Sequence, residues 1–264
     1  HFFSIERHQL DREVFLRPEE REQAEHGRGL RASAEAVGIP YTWTNEELIT
    51  ATYELLEKNN LQDAYIRPLV FCPPNMSLQK AKSSGILLAV WNWGAYLGDT
   101  LLKVGLSGYQ RPNPGAFKMQ AKVCGHYVNS IMACQEAKDN GYDEALLTDS
   151  QGFVAEGPGA NVFYEKDGKL FTPAAGNILT GITRATVLEL CTELGIEADE
   201  KQITVEELKE ADTVFYCGTA AEVIGWESLD GQPFKKEWKD TVSKKIQEAY
   251  KKRVLEIELE PVLA

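Results

Sequence analysis

Between residues 145 and 172 the chain breaks into apolar stretches too short to be helices: 145–148, 153–156, 161–164 and 170–172. Asp149-Ser-Gln-Gly152, a Gly-Pro-Gly after Glu156, and Lys166-Asp-Gly168 part them. Stretches of that length between glycine-bearing turns are strands. Helical patterns lie on both sides, 127–140 with Val128, Ile131, Met132 and Gln135 along one face, and 183–194 stopped by Gly195. Strands mixed with helices exclude a helical bundle and predict an α/β (α+β) fold.

Other segments extend this pattern. Thr44-Asn-Glu-Glu47 is a capping box opening a helix with Leu48, Ile49, Thr52, Leu55 and Leu56 at helical spacing, ended by Asn59-Asn60. Residues 65–71 read as a strand with Tyr65, Arg67, Leu69 and Phe71 on one face, and Pro68 points to a sheet edge. Residues 73–84 form a polar loop, and 86–91 an apolar, buried strand. A second capping box, Thr204-Val-Glu-Glu207, opens a short helix, 213–217 and 222–226 are strands, and 238–255 is an amphipathic helix. The glycines and aromatic residues of 92–98 carry no period and read as a linker. The expected organisation is a small N-terminal α/β domain (1–91), a linker (92–101) and a larger domain (102–264), within the size a chain of 264 residues supports.

A formal charge of -12 argues against nucleic acid or an anionic membrane as partner, since both repel an acidic surface. The longest apolar run falls far short of the roughly 20 residues of a membrane helix, so a soluble protein is expected. The odd set Cys72, Cys124, Cys134, Cys191 and Cys217 has no C-x-x-C pair and fits a reducing cytoplasm better than a disulfide framework. The four histidines, His1, His8, His26 and His126, show no metal-ligand spacing and read as surface or helix-end residues. The chain opens on His1 with no targeting pattern, and an N-terminal piece is expected to be missing.

Chemistry concentrates around Lys122. It sits in Gln120-Ala-Lys-Val-Cys-Gly125, among small and apolar residues that would desolvate its ammonium toward the neutral amine needed for imine formation. Tyr127 follows, where its hydroxyl would reach a phenolate oxygen on a group joined to Lys122. A plain core tyrosine is the alternative. Glu156 ends a strand at the Gly-Pro-Gly turn, which would hold a carboxylate at the sheet margin facing a pyridinium N–H. A solvated turn glutamate is the alternative. Gly181-Ile182-Thr183 precedes a helix and Gly218-Thr219-Ala220 forms a turn, so each offers backbone donors to one dianion. An amine, a phenol, a carboxylate and an anion cradle are the groups a pyridoxal phosphate enzyme needs around its cofactor. Tyr65 and Arg67 share a strand face suited to a small carboxylate, or to each other.

From about residue 45 to 256 the chain resembles the class IV, fold-type IV pyridoxal phosphate aminotransferases, and most closely their branched-chain amino acid branch. The resemblance is carried by Ala64-Tyr-Ile-Arg-Pro-Leu69, Trp93-Gly-Ala-Tyr-Leu-Gly98, Ala121-Lys122 through Tyr127-Val-Asn-Ser130, Glu156 through Asn161-Val-Phe163, Gly181-Ile-Thr-Arg184 and Gly218-Thr-Ala-Ala-Glu222. It implies a two-domain fold-type IV architecture whose N-terminal domain is truncated here, and pyridoxal 5'-phosphate on Lys122, which also shuttles the substrate α-proton. Tyr127 then faces the cofactor 3-oxygen and Glu156 the ring nitrogen, while Gly181, Ile182, Thr183, Gly218 and Thr219 hold the phosphate. It implies further that Tyr65, Arg67, Thr219, Ala220 and Ala221 meet the substrate carboxylate and that Trp93 and Tyr96 wall an apolar pocket. Arg7 matches the family's phosphate arginine, and Thr180 stands where the family has proline. The implied partners are amino acids, 2-oxo acids and a second copy of the chain, whose loop 73–83, with Met76 and Leu78, completes the pocket of a homodimer. The implied activity is transfer of the amino group of leucine, isoleucine or valine to 2-oxoglutarate. The alternatives are a D-amino acid aminotransferase, an aminodeoxychorismate lyase, or a truncated homologue that binds the cofactor without turning over.

Overall fold

The computed structural model describes residues 3–6, 18–74, 76–92, 97–98 and 100–255, and divides into two compact units, His1–Tyr96 and Leu97–Ala264. In the smaller unit, β1 (Phe3–Glu6), β2 (Asp63–Phe71) and β3 (Gly85–Trp91) form an antiparallel sheet in the order β1-β2-β3, beside α1 (Pro18–Ala36) and α2 (Asn45–Lys58). The Thr44 capping box forms as its sequence requires, with Thr44 Oγ1 accepting from the Glu47 amide and the Glu47 carboxylate accepting from the Thr44 amide. It sets the helix so that Leu48, Thr52 and Leu56 are buried.

Two expectations fail in this unit. Pro68 lies on the middle strand of the sheet, not an edge strand. It is tolerated because β1 pairs β2 only from Ile66 back to Asp63, whereas Pro68 is matched to Leu88 of β3. The second concerns β3, which is half-exposed along its length instead of buried, with Leu87 facing solvent.

The larger unit is built on a sheet of nine strands. They are β4 (Leu102–Gln110), β5 (Glu144–Thr148), β6 (Val154–Glu156), β7 (Asn161–Lys166), β8 (Lys169–Pro173), β9 (Ala198–Lys201), β10 (Thr213–Gly218), β11 (Glu222–Leu229) and β12 (Gln232–Pro233). The path β10-β11-β4-β5-β6-β7 returns on itself because β7 also pairs β10, so these strands close into a ring. Period-2 alternation explains the result. Val162, Tyr164, Val214, Tyr216, Ile224 and Trp226 belong to one buried cluster, and the intervening Phe163, Phe215, Cys217 and Val223 to another that packs on α4 (Ile182–Glu193) and α6 (Val242–Val254). Both faces of these strands are therefore apolar, as their near-continuous hydrophobic sequences demand.

The remaining helices are α3 (Tyr127–Asp139) and α5 (Val205–Lys209). α3 buries Ser130, packs Ala133 and Ala137 against Ala145 and Leu147, and leaves Val128, Ile131 and Met132 exposed. Small residues face the sheet there because the helix lies close upon it. The C-terminal helix begins at Val242, later than its amphipathic pattern suggests, because Thr241 caps it after a short 3-10 turn. No helix of the described residues is long and apolar enough to cross a membrane.

Candidate active site

Glu156 is the last residue of β6, where the chain turns through Gly157 and Ala160, joined by a 2.8 Å amide-to-carbonyl bond, into β7. The turn is tight because a side chain on Gly157 would strike the Tyr216 ring at 2.8 Å. The carboxylate is not at the sheet margin: it is 4 % exposed, on a strand with neighbours on both sides. Arg111 Nη2 lies 2.9 Å from Oε1, Asn161 Nδ2 donates to Oε2 at 3.1 Å, and the Leu179 amide donates to both oxygens at 3.2 Å. Three N–H donors thus meet a carboxylate of about four lone-pair directions, the Leu179 amide being shared between its two oxygens. Burial pushes the Glu156 carboxyl up; Arg111, the Leu179 amide and the Lys122 ammonium pull it back toward the charged form.

Lys122 is half-buried between the buried Ala121 and the 3-10 turn Cys124–His126 that leads into α3. It lies close enough to Glu156 for its charge to act on the carboxyl. Tyr127, the first residue of α3, is also half-buried. Preceding it, His126 stands at a helix end, as expected, but is buried there instead of lying at the surface. Its ring is buried edge-on against Phe117, with centroids 5.1 Å apart. Burial and then the Arg111 charge lower its proton affinity, and a hydrogen bond to the Ala121 backbone partly restores it.

Gly181 occupies the N-cap of α4 and offers no side-chain cap, which leaves the helix start open to an external acceptor. In the first turn the Thr183 hydroxyl is buried and has no hydrogen-bond partner, a costly state for a polar atom unless something meets it. The Gly181 amide is not among the open donors, since it donates to Asn161 Oδ1 at 3.1 Å. The turn 218–221 reaches the same place. Cys217 is registered with Asn161, and a side chain on Gly218 would meet the Gly159 carbonyl at 3.2 Å. Gly218, Thr219, Ala220 and Ala221 are half-buried there.

Lys122, Glu156, Thr183 and the 218–221 turn thus gather on the larger unit: an amine, a buried carboxylate, and an open helix start with an unpartnered hydroxyl. Tyr65 and Arg67 belong to the smaller unit, where Arg67 Nη2 donates to the Tyr65 hydroxyl at 3.3 Å and the guanidinium lies 5.2 Å from the Trp91 ring centre. The mutual contact read from their spacing is present. Arg7, Trp93 and Tyr96 lie outside the described residues.

Sequence reasoning missed Arg111 and the work of Asn161. Arg111 is 8 % exposed and is also held by the Ser130 hydroxyl at 3.2 Å, while its backbone amide donates to Thr148. Its only signal is an arginine between a glycine-bearing mixed stretch and a proline, a pattern with no chemistry of its own. Asn161 was visible in its motif, but its partners are set by strand pairing that no local pattern reveals.

The amino-transferase class IV family profile matches residues 21–229. The branched-chain-amino-acid aminotransferase of Pseudomonas aeruginosa is 39 % identical over 227 residues, covering 83 % of this chain and 73 % of that protein. Among solved structures, the branched-chain aminotransferase of Thermoproteus uzoniensis with norvaline superposes with a TM-score of 0.86 at 36 % identity, covering 89 % of this chain and 80 % of the other. The branched-chain amino acid aminotransferase of Thermobaculum terrenum, in its PLP (holo) form, gives a TM-score of 0.85 at 31 % identity over 89 % and 79 % of the two chains.

Proposed function

The chain belongs to the amino-transferase class IV family, and from that premise we propose that it transfers the amino group of branched-chain L-amino acids to 2-oxoglutarate, with pyridoxal phosphate as cofactor and with the larger unit as the part that binds it. The observation that carries this reading is the buried Glu156, which Arg111, Asn161 and Leu179 hold while Lys122 sits within electrostatic reach. The cofactor fits these residues. Thr183, whose buried hydroxyl has no hydrogen-bond partner, would meet its phosphate, and Glu156 would face its ring nitrogen.

When bound, pyridoxal phosphate supplies an aldehyde for an amine and a heterocycle that withdraws electrons from the substrate α-carbon. Lys122 Nζ would take the proton from the substrate α-carbon and hold it for return, so one base would serve both directions. Glu156 would hold a proton on the ring nitrogen, and Arg111 opposes the desolvation that would otherwise neutralise the carboxylate. Tyr127 orients the ring through its 3-oxygen. The Thr183 hydroxyl, the first amides of α4 and the Gly218–Thr219 backbone hold the phosphate, where the helix dipole favours a dianion. On the larger unit, Ala220 and Ala221 are assigned to the substrate carboxylate.

The same reading makes the protein a cytoplasmic homodimer. Support for the dimer comes from α3, whose exposed Val128, Ile131 and Met132 make an apolar stripe beside the exposed Phe117, and from Met76 and Leu78, which project from loop 73–83. Support for the compartment comes from five free thiols.

The absorbance of the cofactor-loaded protein tests the function. Addition of L-leucine should bleach the visible-edge band, and 2-oxoglutarate should restore it. A band that persists with L-leucine but bleaches with D-alanine or aminodeoxychorismate would replace this reading with another activity of the family, and one that no amine bleaches would leave a binding protein without turnover.

A further inference from the structure

Asn161 opens β7 and is the residue registered with Glu156 in the pairing of β6 with β7. Its carboxamide is 5 % exposed and uses both ends. Nδ2 donates to Glu156 Oε2 at 3.1 Å and to the Leu179 carbonyl at 2.8 Å, while Oδ1 accepts from the Gly181 amide at 3.1 Å. The fit is close enough to dictate the neighbour, since a β-carbon on Gly181 would lie 2.6 Å from Oδ1. Only a primary amide of this length supplies two donors and an acceptor in that arrangement. Aspartate would lose both donors and set a second negative charge beside Glu156. An aliphatic residue would lose all three bonds.

We propose that Asn161 is a positioning residue that fixes the carboxylate facing the cofactor ring and the helix start facing the cofactor phosphate at one separation, so that a single ligand engages both. The inference rests on the pyridoxal phosphate reading above. By taking the Gly181 amide, Asn161 Oδ1 pins the N-cap of α4 and leaves the Thr183 hydroxyl and the following amides to meet the anion. By donating to Glu156 it fixes how the carboxylate faces the ring nitrogen. A carboxylate and an anion cradle held at a set distance bind a two-ended ligand as a chelate, in which the second end docks at little further entropic cost.

The two ends separate by experiment, because pyridoxal carries the ring without the phosphate. Binding of pyridoxal phosphate and of pyridoxal is measured for the full chain and for Asn161→Asp and Asn161→Ala, with a thermal melt of each apo protein. Asn161→Asp keeps an oxygen for the Gly181 amide but loses the donors to Glu156, so both ligands should weaken alike, by about tenfold. Asn161→Ala loses both ends. Pyridoxal phosphate should then weaken by a further factor of about ten relative to pyridoxal. Should Asn161→Ala fail to fold, Gly181→Ala carries the test, because it displaces the same oxygen and should reduce the preference for the phosphate in the same way. Unchanged affinities in folded variants, or a preference for the phosphate that neither Asn161→Ala nor Gly181→Ala reduces, would overturn the positioning role while leaving the cofactor reading intact. Failure of the unaltered protein to bind pyridoxal phosphate would remove that reading and this inference with it.

Discussion

At the residue scale, the site rests on a buried ion pair whose members are far apart in sequence. Arg111 and Glu156 are both nearly inaccessible, so removing one partner leaves the other charged and desolvated, which typically costs about 3–5 kcal/mol. Arg111→Met should therefore lower folding stability by an amount in that range and drive Glu156 toward its neutral form. Chemical denaturation of the apo protein checks the first effect, and a loss of pyridoxal phosphate affinity the second. A second residue gives a pH signature. Burial, reinforced by Arg111, holds the His126 imidazole below its ordinary value of 6.5. The unfolded chain then takes up the proton first as pH falls. The His126 contribution is thus complete above 6.5 and is lost as pH drops from there through the lowered folded value. Denaturation midpoints measured across that window should decline for the unaltered protein and flatten for His126→Phe. Lys122, Tyr127 and Glu156 stood out as candidates in the sequence because each sits at a recognisable junction, between elements, at a helix start, or at a Gly-Pro-Gly turn. Arg111 did not, because its meaning comes entirely from the strand opposite.

At the element scale, the capping boxes at Thr44 and Thr204 and the glycine stop at Gly195 marked helix ends as the structure has them, since capping is chemistry between residues close in sequence. β4 went unread. Its sequence, Leu102–Gln110, carries two glycines and alternates poorly, and it becomes a strand only through parallel pairing with β11 and β5, which lie distant along the chain. α3 was read as a helix and is one, and it turns its alanines toward the sheet while Val128, Ile131 and Met132 lie outward. That outward stripe makes a prediction. A charge at its centre, Ile131→Glu, should leave the fold intact, because the residue is 54 % exposed, and should shift the protein toward monomer at equal concentration. Analytical ultracentrifugation of both proteins decides it, and a dimer unaffected by the charge would place the interface elsewhere.

At the scale of the whole molecule, the class of fold was legible and its closure was not. Short strands between glycine turns announced a mixed α/β chain, yet nothing local indicates that β7 pairs β6 and β8 as well as the distant β10. That closure brings the Glu156 turn, the Gly181 helix start and the Gly218 turn to one place, and so turns scattered motifs into a site. The central claim is that one amine there captures the cofactor. Borohydride reduction of the protein loaded with pyridoxal phosphate, followed by peptide mass mapping, tests it most directly. The account predicts a stable pyridoxyl adduct on the peptide bearing Lys122 and on no other. An adduct on a different lysine, or none at all, would contradict it.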